Sequence, residues 1–286
     1  MIRTAVFPVA GLGTRMLPAT KAVPKEMLPV VDKPIIQYAF EEARAAGIQH
    51  FVFVTGRGKS VIEDHFDRAY ELDDALVKKG KLAELDAVSA WVPSPGELSY
   101  TRQQEPLGLG HAVWCARHLV GREPFAVVLV DDLIVAPTPC LKQMVEAHDE
   151  TGGNIIAVEE VPAEQTSRYG ILDPAGDDGR LVAIKGLVEK PDPAKAPSRL
   201  AVIGRYILMP EVFDHLERQQ TGAGGEIQLT DAMARMIGRQ PCHGLRFAGQ
   251  RFDCGAKLGY LEANLACALG REELADDMRA LLQRYR

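Results

Sequence analysis

The sequence predicts an α/β fold, with helices on both faces of a mainly parallel central sheet. Two observations predict it. Through the first half of the chain, short apolar runs typical of strands alternate with stretches typical of helices, which is the pattern of βαβ units. One of these runs, in PFAVVLVDD, is continuously apolar up to its closing acids, as strands buried on both faces are. With 286 residues, of which 47% are hydrophobic, the chain can bury a large core without disulfides or a structural metal.

The first half gives its elements in regular order. RTAVFPVAG predicts a strand, and DKPIIQYAFEEARAAG predicts a helix that Asp32 caps, that takes Pro34 in its first turn and that ends at Gly47. HFVFVTG predicts the next strand, and a charged helix starts at SVIEDHF. AVSAWVPS predicts a further strand, and LGHAVWCARHLV predicts the helix before PFAVVLVDD.

The second half is less regular. NIIAVEEV, RLVAIKGLVEK and AVIGRYILM predict strands, whereas EIQLTDAMARMIG and the stretch after Gly255 predict helices. The proline-rich PDPAKAPS predicts an exposed loop. We expect one domain over residues 1–286, with a first half at about 1–135, a second half at about 136–255 and C-terminal helices at about 256–286.

Composition excludes several classes of protein. The formal net charge of −6 provides no basic field for nucleic acid. The five cysteines are scattered and form no C-x-x-C pair, which indicates reduced thiols and a cytoplasmic location. No apolar run approaches the roughly 18 residues that a spanning helix needs, and MIRTAVFPVAG does not resemble a signal peptide. We therefore expect neither a nucleic-acid nor a membrane partner.

Two short stretches imitate nucleotide-binding motifs without completing them. GLGTRM has Met16 where the dinucleotide fingerprint needs its third glycine. GRGKS ends like a P-loop, but Phe53 stands where the first glycine of that motif belongs. We interpret GRGKS as an exposed turn between a strand and a helix.

The loop after the first strand has the chemistry of a phosphate cradle. Gly11 and Gly13 permit positive φ angles and close approach of a ligand to the backbone. Arg15 adds a planar donor fork that suits phosphate oxygens, and prolines on both sides stiffen the segment around Lys25. Ligands of open α/β sheets bind beyond the carboxyl ends of strands, so this loop and the acids of VVLVDD are placed to share one crevice.

The full pattern of this loop is more specific than its glycines. Positions 11–29 read G-x-G-T-R-x-x-P-x-T-x-x-x-P-K-x-x-x-P, which resembles the signature of sugar-phosphate nucleotidyltransferases. Supporting segments follow in the order that this family requires: RQQEPLGLGHAV, VVLVDD, RYGIL, LVEKP, VIGRYIL, GEIQLTDA and FDCGAKLGY. The resemblance covers nearly the whole chain. It implies a Rossmann-like, mixed but mainly parallel sheet of the nucleotide-diphospho-sugar transferase type, with the nucleotide in the first half and the sugar phosphate in the second.

The resemblance also implies a reaction. It is closest to the bacterial members that transfer a uridylyl group from UTP to glucose 1-phosphate, giving UDP-glucose and pyrophosphate by Mg²⁺-assisted in-line displacement. The attacking phosphate oxygen is already ionised, so the site must supply positive charge and alignment rather than a general base.

The resemblance assigns roles to particular residues. Arg15 would contact the pyrophosphate and Lys25 the phosphates at the reacting centre. Asp131 and Asp253 would hold Mg²⁺, whereas we favour Asp132 as a helix cap or loop acid. The nucleotide would contact Ala10, Gly11, Gly13, Thr14, Gln103 and Gly108. The sugar phosphate would contact Gly170, Glu189, Lys190, Gly204 and, more weakly, Glu226, which a helix-capping role also explains. We expect Lys21 to be solvated, His111 to pack or lie at the surface, and Cys254 to be a small buried hydrophobe.

Three alternatives stay open. A sibling enzyme that uses thymidine nucleotides or another sugar 1-phosphate would share this chemistry, since one methyl group in a pocket is worth only about 1–3 kcal/mol. A catalytically silent, regulatory relative would lack some of Arg15, Lys25, Asp131 and Asp253, and all four are present.

The resemblance implies a homo-oligomer, with a tetramer favoured. The stripe that would form its contact can equally face the core: Leu258, Leu261, Leu265 and Leu269.

Overall fold

The computed structural model describes residues 1–285. Its strands are β1 Thr4–Pro8, β2 Pro29–Val30, β3 Lys33–Pro34, β4 His50–Thr55, β5 Leu98–Arg102, β6 Phe125–Val128, β7 Asp132–Val135, β8 Asn154–Glu160, β9 Gly170–Asp177, β10 Leu181–Glu189, β11 Leu200–Leu208, β12 Cys242–Arg246 and β13 Gln250–Asp253. Its α-helices are α1 Ile35–Ala45, α2 Ser60–His65, α3 Tyr70–Lys78, α4 Leu82–Ser89, α5 Leu109–Cys115, α6 Arg117–Val120, α7 Cys140–Thr151, α8 Val212–Leu216, α9 Leu229–Ala234, α10 Lys257–Leu269 and α11 Glu272–Gln283.

A nine-stranded mixed sheet forms the centre of the molecule, in the order β5-β4-β1-β6-β11-β8-β12-β10-β9. The strands of the first half, β5, β4, β1 and β6, pair in parallel, as the alternation of strands and helices predicts. In the second half β8 and β12 pair in parallel, and the remaining neighbours are antiparallel. The mixed α/β sheet is confirmed, but the expectation that it is mainly parallel holds only for the first half, since the neighbours in the second half are mostly antiparallel.

Each face of the sheet is covered by its own apolar core. Along β1, Ala5 and Phe7 point into one core while Val6 points into the other. This alternation explains why the strands are apolar on consecutive residues: both faces of each strand are buried. In the first core, the rings of Phe40 on α1 and Phe51 on β4 lie 4.4 Å apart, so this helix is held against the sheet.

Two local predictions are wrong. AVSAWVPS contains no strand; its first residues complete α4, which ends at Ser89, and the strand that follows is β5. β5 lies at the edge of the sheet and is only partly buried, so its sequence LSYTR lacks an apolar run. Asp32 does not cap α1, which begins after Pro34. Its carboxylate instead accepts hydrogen bonds of 2.5 and 2.6 Å from the guanidinium of Arg271.

A small second sheet brings distant acids together. β7 and β13 pair antiparallel, and their register places Asp132 opposite Asp253. Because β7 follows β6 after a three-residue turn, this ribbon stands at the carboxyl end of a central strand, where ligands of α/β sheets bind. None of the helices within residues 1–285 combines the length and apolar character required to cross a membrane.

Candidate active site

The turn between β6 and β7 is fixed from inside the protein by Arg205. This side chain is fully buried on β11. Its guanidinium donates to the backbone oxygen atoms of Leu129 at 2.8 Å and Asp132 at 2.9 Å, and to the carboxylate of Glu42 at 2.7 Å. A planar fork of donors suits such a set of acceptors. The backbone that carries Asp131 is therefore held in one conformation.

Asp131 points from this turn towards the two cations of the opening loop. Its Oδ2 lies 2.6 Å from Lys25 Nζ and 3.7 Å from an Arg15 guanidinium nitrogen. Burial alone would raise the pKa of this carboxyl group, but the charges of Lys25 and Arg15 outweigh burial and lower the pKa of Asp131. The group is therefore a carboxylate at neutral pH, and the three predicted residues meet at one point.

Asp132 points the other way and is part of the framework. Its carboxylate accepts hydrogen bonds of 2.6 Å from Arg251 Nε and 2.9 Å from the Gly204 backbone N–H. It is the first residue of β7 and is mostly buried. The expectation of a helix cap or a loop acid is wrong. Neighbouring acids in VDD thus have different tasks, because successive strand-like residues point in opposite directions.

Asp253 adjoins Asp131 through the backbone. The N–H of Cys254 donates to the Asp131 carbonyl oxygen at 2.8 Å. The Asp253 carboxylate accepts from the Gly255 N–H at 3.1 Å, as a capping residue does, and from Arg168 at 3.0 Å. Cys254 is buried, as expected. Both acids line a cavity of about 160 Å³. Its walls also include Arg15, Leu129, Asp132, Arg168, Tyr169 and Arg251.

This donor set suits Mg²⁺. That ion is commonly bound by one or two carboxylates together with phosphate oxygens and waters. The Asp131 and Asp253 carboxylates border one cavity, and each is paired here with side-chain cations. Within residues 1–285, no group of three or more His, Cys, Asp or Glu side chains is arranged to hold a metal ion.

The opening loop has the backbone that its glycines predict at one position. Gly13 has a left-handed φ of 66°, and a Cβ atom there would lie 3.1 Å from Lys25 Cβ. Thr20 Oγ1 donates to the Gly13 carbonyl oxygen at 2.7 Å and closes the loop. Gly11 and Thr14 are exposed, Ala10 is half-buried, and their backbone is accessible to a ligand.

Gln103 and Gly108 lie together beyond the end of β5. Gln103 Nε2 donates to the Gly108 carbonyl oxygen at 3.0 Å and lies 3.1 Å from His111 Nδ1. Gly108 has a φ of 107°, and a Cβ there would lie 2.8 Å from Glu226 Cβ. The glycine is thus required for close packing against the segment before α9. His111 stacks on Trp114 at 5.8 Å, in agreement with a packing role.

The residues predicted to contact the sugar phosphate separate into two groups. Gly170 pairs with Glu189 across β9 and β10, and Lys190 Nζ lies 3.3 Å from Glu189 Oε1. Lys190 has a left-handed φ of 46°, which turns its side chain at the end of β10. Gly204, by contrast, is buried in β11. A Cβ there would lie 2.6 Å from Asp132 Oδ2, so this glycine makes room for the buried acid.

Glu226 packs against Gly108. Glu226 is exposed and precedes α9, whose N-cap residue is Gln228. The capping explanation for Glu226 is therefore wrong. Sequence reasoning missed Glu42, Arg205 and Arg251 altogether. The lone arginine inside the apolar run AVIGRYILM was the available signal, since a buried charge needs a partner.

Comparison with known proteins identifies the family of the chain. The family model described as nucleotidyl transferase matches residues 5–268. The chain belongs to the nucleotidyl transferase family. A UTP–glucose-1-phosphate uridylyltransferase of Komagataeibacter xylinus is 54% identical over 257 residues, which cover 90% of this nucleotidyl transferase and 90% of the relative.

Solved structures support the same family assignment. A UTP-bound UGPase from Acinetobacter baumannii has a TM-score of 0.93 and 41% identity, with 100% of both chains covered. A UDP-glucose pyrophosphorylase complexed with UDP-glucose has a TM-score of 0.84 and 43% identity, covering 95% of this nucleotidyl transferase and 100% of that chain. The fold of this chain is therefore the nucleotidyl transferase fold expected from its opening loop.

Proposed function

We propose that this nucleotidyl transferase moves a uridylyl group from UTP to glucose 1-phosphate, giving UDP-glucose and pyrophosphate. The observation that carries the proposal is the convergence of Arg15 and Lys25 on Asp131, at 3.7 and 2.6 Å, beside a cavity that Asp253 also lines. A relative that is 54% identical is named for this reaction. Similar solved structures are described as bound to UTP and to UDP-glucose.

The reaction needs charge neutralisation more than proton transfer. The attacking oxygen of glucose 1-phosphate is ionised near neutral pH, and the obstacle is the approach of one anion to another. Lys25, which is largely buried, places a fixed ammonium group at the reacting phosphates, where a low dielectric strengthens its effect. Arg15, which is 60% exposed, meets the departing pyrophosphate from the solvent side. No side chain has to act as a general base.

Asp131 and Asp253 would hold a Mg²⁺ ion against the phosphate oxygens. When bound, the ion neutralises phosphate charge and aligns the reacting groups. The adjoining backbones of these two acids support this role, since the hydrogen bond from Cys254 N–H to the Asp131 carbonyl oxygen fixes their separation. Lys25 pairs with Asp131 and Arg168 pairs with Asp253, and the phosphates of a substrate would give both cations new partners.

The proposed substrate contacts divide between the two halves of the sheet. Uracil and the nucleotide phosphates would meet backbone groups of the opening loop at Ala10, Gly11, Gly13 and Thr14. They would also meet the side-chain amide of Gln103, which Gly108 holds in place. Glu189 would accept hydrogen bonds from glucose hydroxyl groups beside Gly170, and Lys190 would meet the sugar phosphate. Gly204 would act on the sugar subsite indirectly, through the packing of Asp132, whereas the contact of Glu226 with Gly108 would place its effect beside the nucleotide.

A release assay tests the proposal. We expect pyrophosphate release with UTP and glucose 1-phosphate in the presence of Mg²⁺, and its loss on chelation of the ion. Faster turnover with dTTP than with UTP would identify a thymidylyltransferase instead, although the matched relative is named for UTP. No release with any nucleotide would identify a silent relative.

Homo-oligomeric assembly, with a tetramer favoured, and a cytoplasmic location complete the proposal. Leu258 and Leu261 on α10 are 78% and 63% exposed, so these two leucines do not face the core of the chain. An apolar pair on a helix surface supports contact with another copy. Light scattering should give a mass above 31.2 kDa for the protein and a smaller mass for Leu258→Glu/Leu261→Glu. A monomeric wild type would contradict the assembly.

A further inference from the structure

A buried ion pair lies beneath the opening loop, one residue away from Lys25. The side chains of Glu26 and Lys59 are 1% and 7% exposed, and Lys59 Nζ lies 2.7 Å from Glu26 Oε2. Charged groups are seldom buried so fully, because desolvation opposes their attraction. Glu26 Oε1 has no hydrogen-bond partner within residues 1–285, which leaves the Lys59 contact to orient this carboxylate.

Glu26 is rigidly linked to Lys25. Both belong to the single 3-10 turn Lys25–Met27, closed by hydrogen bonds from Met27 N–H to the Pro24 carbonyl oxygen and from Leu28 N–H to that of Lys25. Their side chains point apart, Glu26 to the interior and Lys25 to Asp131. Holding the Glu26 carboxylate therefore holds the Cα atom from which the Lys25 ammonium group extends.

Lys59 comes from a stretch that the sequence left without a function. It is the last residue before α2, in GRGKS, and Gly58 with a φ of 78° turns the chain ahead of it. Arg57 and Gly58 are exposed, but Lys59 is buried. The interpretation of GRGKS as an exposed turn is thus wrong for its lysine. Lys59 connects the end of β4 to a loop 33 residues earlier.

We propose that the Glu26–Lys59 ion pair is a positioning device that sets Lys25 against the reacting phosphates. It anchors the opening loop to the junction of β4 and α2. This inference rests on the proposed function.

Steady-state kinetics of Lys59→Met provide the test. We expect kcat for UDP-glucose formation to fall at least tenfold, with the KM for glucose 1-phosphate changed less than twofold. In a Lys25→Ala background, Lys59→Met should lower kcat by less than twofold more, because residues that act through one group are not additive. Lys59→Arg, which keeps the charge, should recover most of the lost rate.

The matched control is Lys33→Met. It removes another Lys–Glu pair, Lys33–Glu41 at 2.6 Å, that lies outside the opening loop, and its kcat should stay within twofold of wild type. The double variant Glu26→Gln/Lys59→Met carries no unpaired buried charge. It should fold and lose as much rate as Lys59→Met, so the test does not depend on the stability of the single variant.

The outcomes separate the two hypotheses. A wild type without uridylyl transfer contradicts the proposed function. An active wild type whose folded double variant keeps at least half its kcat contradicts the positioning role. The positioning role is also contradicted if Lys59→Met lowers kcat by the same factor in the Lys25→Ala background as in the wild type. That result would mean that the ion pair acts independently of Lys25.

Discussion

The two segments that meet at Asp131 are built in opposite ways. The turn at residues 129–132 is held from below by buried arginines: Arg205 binds its backbone, and Arg251 binds Asp132. In the opening loop, the Arg15 side chain is 60% exposed and 3.7 Å from its acid, whereas the Lys25 side chain is only 20% exposed. The acids are therefore fixed before any substrate arrives, whereas Arg15 can move to follow the charge of its ligand. Preorganised carboxylates and a fixed Lys25, together with an adaptable Arg15, would suit the proposed site, which binds different phosphates before and after reaction.

The largest expected effect tests the rigid side of this comparison. Arg205→Met should lower the free energy of unfolding by about 3–5 kcal/mol, because it leaves the Glu42 carboxylate buried without its partner. Urea unfolding measures this loss. The control is Arg199→Met, which removes an exposed pair with Glu160 and should cost about 1 kcal/mol or less. Equal losses for the two variants would show that the framework does not depend on Arg205.

The next effect falls on activity. Asp131→Ala should lower kcat about 10²–10³-fold, as loss of a main electrostatic group does, by removing a proposed metal ligand. Its circular dichroism spectrum should match that of the wild type, since the side chain faces the cavity rather than the core. Asp149→Ala, at an exposed acid on α7, should keep the normal rate. A near-normal rate in Asp131→Ala would refute the metal assignment.

A smaller effect is expected on the adaptable side. Arg15→Ala should reduce kcat about tenfold while changing the KM for glucose 1-phosphate much less, since its contact is with the pyrophosphate that leaves. Initial rates over a matrix of substrate concentrations separate the two constants. An equal change in both would assign Arg15 to binding of the sugar phosphate instead.

The smallest effect is expected at the other lysine of the loop. Lys21 is exposed and forms no ion pair within residues 1–285. Lys21→Ala should therefore leave kcat and KM within about twofold of wild type, as surface substitutions usually do. A tenfold loss would mean that the positive field of the whole loop, rather than the positions of Lys25 and Arg15, governs the reaction.

Much of the fold was predictable because its signals are local. The apolar runs at β1, β4 and β6 are buried on both faces, so each is visible without its neighbours. The end of α1 was visible in Gly47, whose φ is 93°. β5 was missed because an edge strand that is half exposed carries no such run. Because β5 has no apolar run, the strand was wrongly assigned to the apolar residues of AVSAWVPS, the first of which complete α4.

The candidate site was predictable only at residues that are proposed to contact the ligand. The pattern of the opening loop gave Arg15 and Lys25, and the acids after β6 gave Asp131. The supporting residues form their contacts across long separations, such as 163 residues between Glu42 and Arg205. No local pattern encodes such a pair. Gly108 and Gly204 show the converse, since a glycine that looks suited to a ligand also permits close packing within the protein.

The pairing of β7 with β13 has a consequence for protein synthesis. Arg251 lies 119 residues after Asp132. A nascent chain on the ribosome therefore exposes Asp131 and Asp132 long before the partners that β13 supplies emerge. Until β13 docks, Asp132 lacks Arg251 and the cavity lacks the wall that contains Asp253. An unfinished chain therefore has no complete site: it would carry the proposed nucleotide contacts, from Ala10 to Gly108, without Asp253, the second proposed metal ligand.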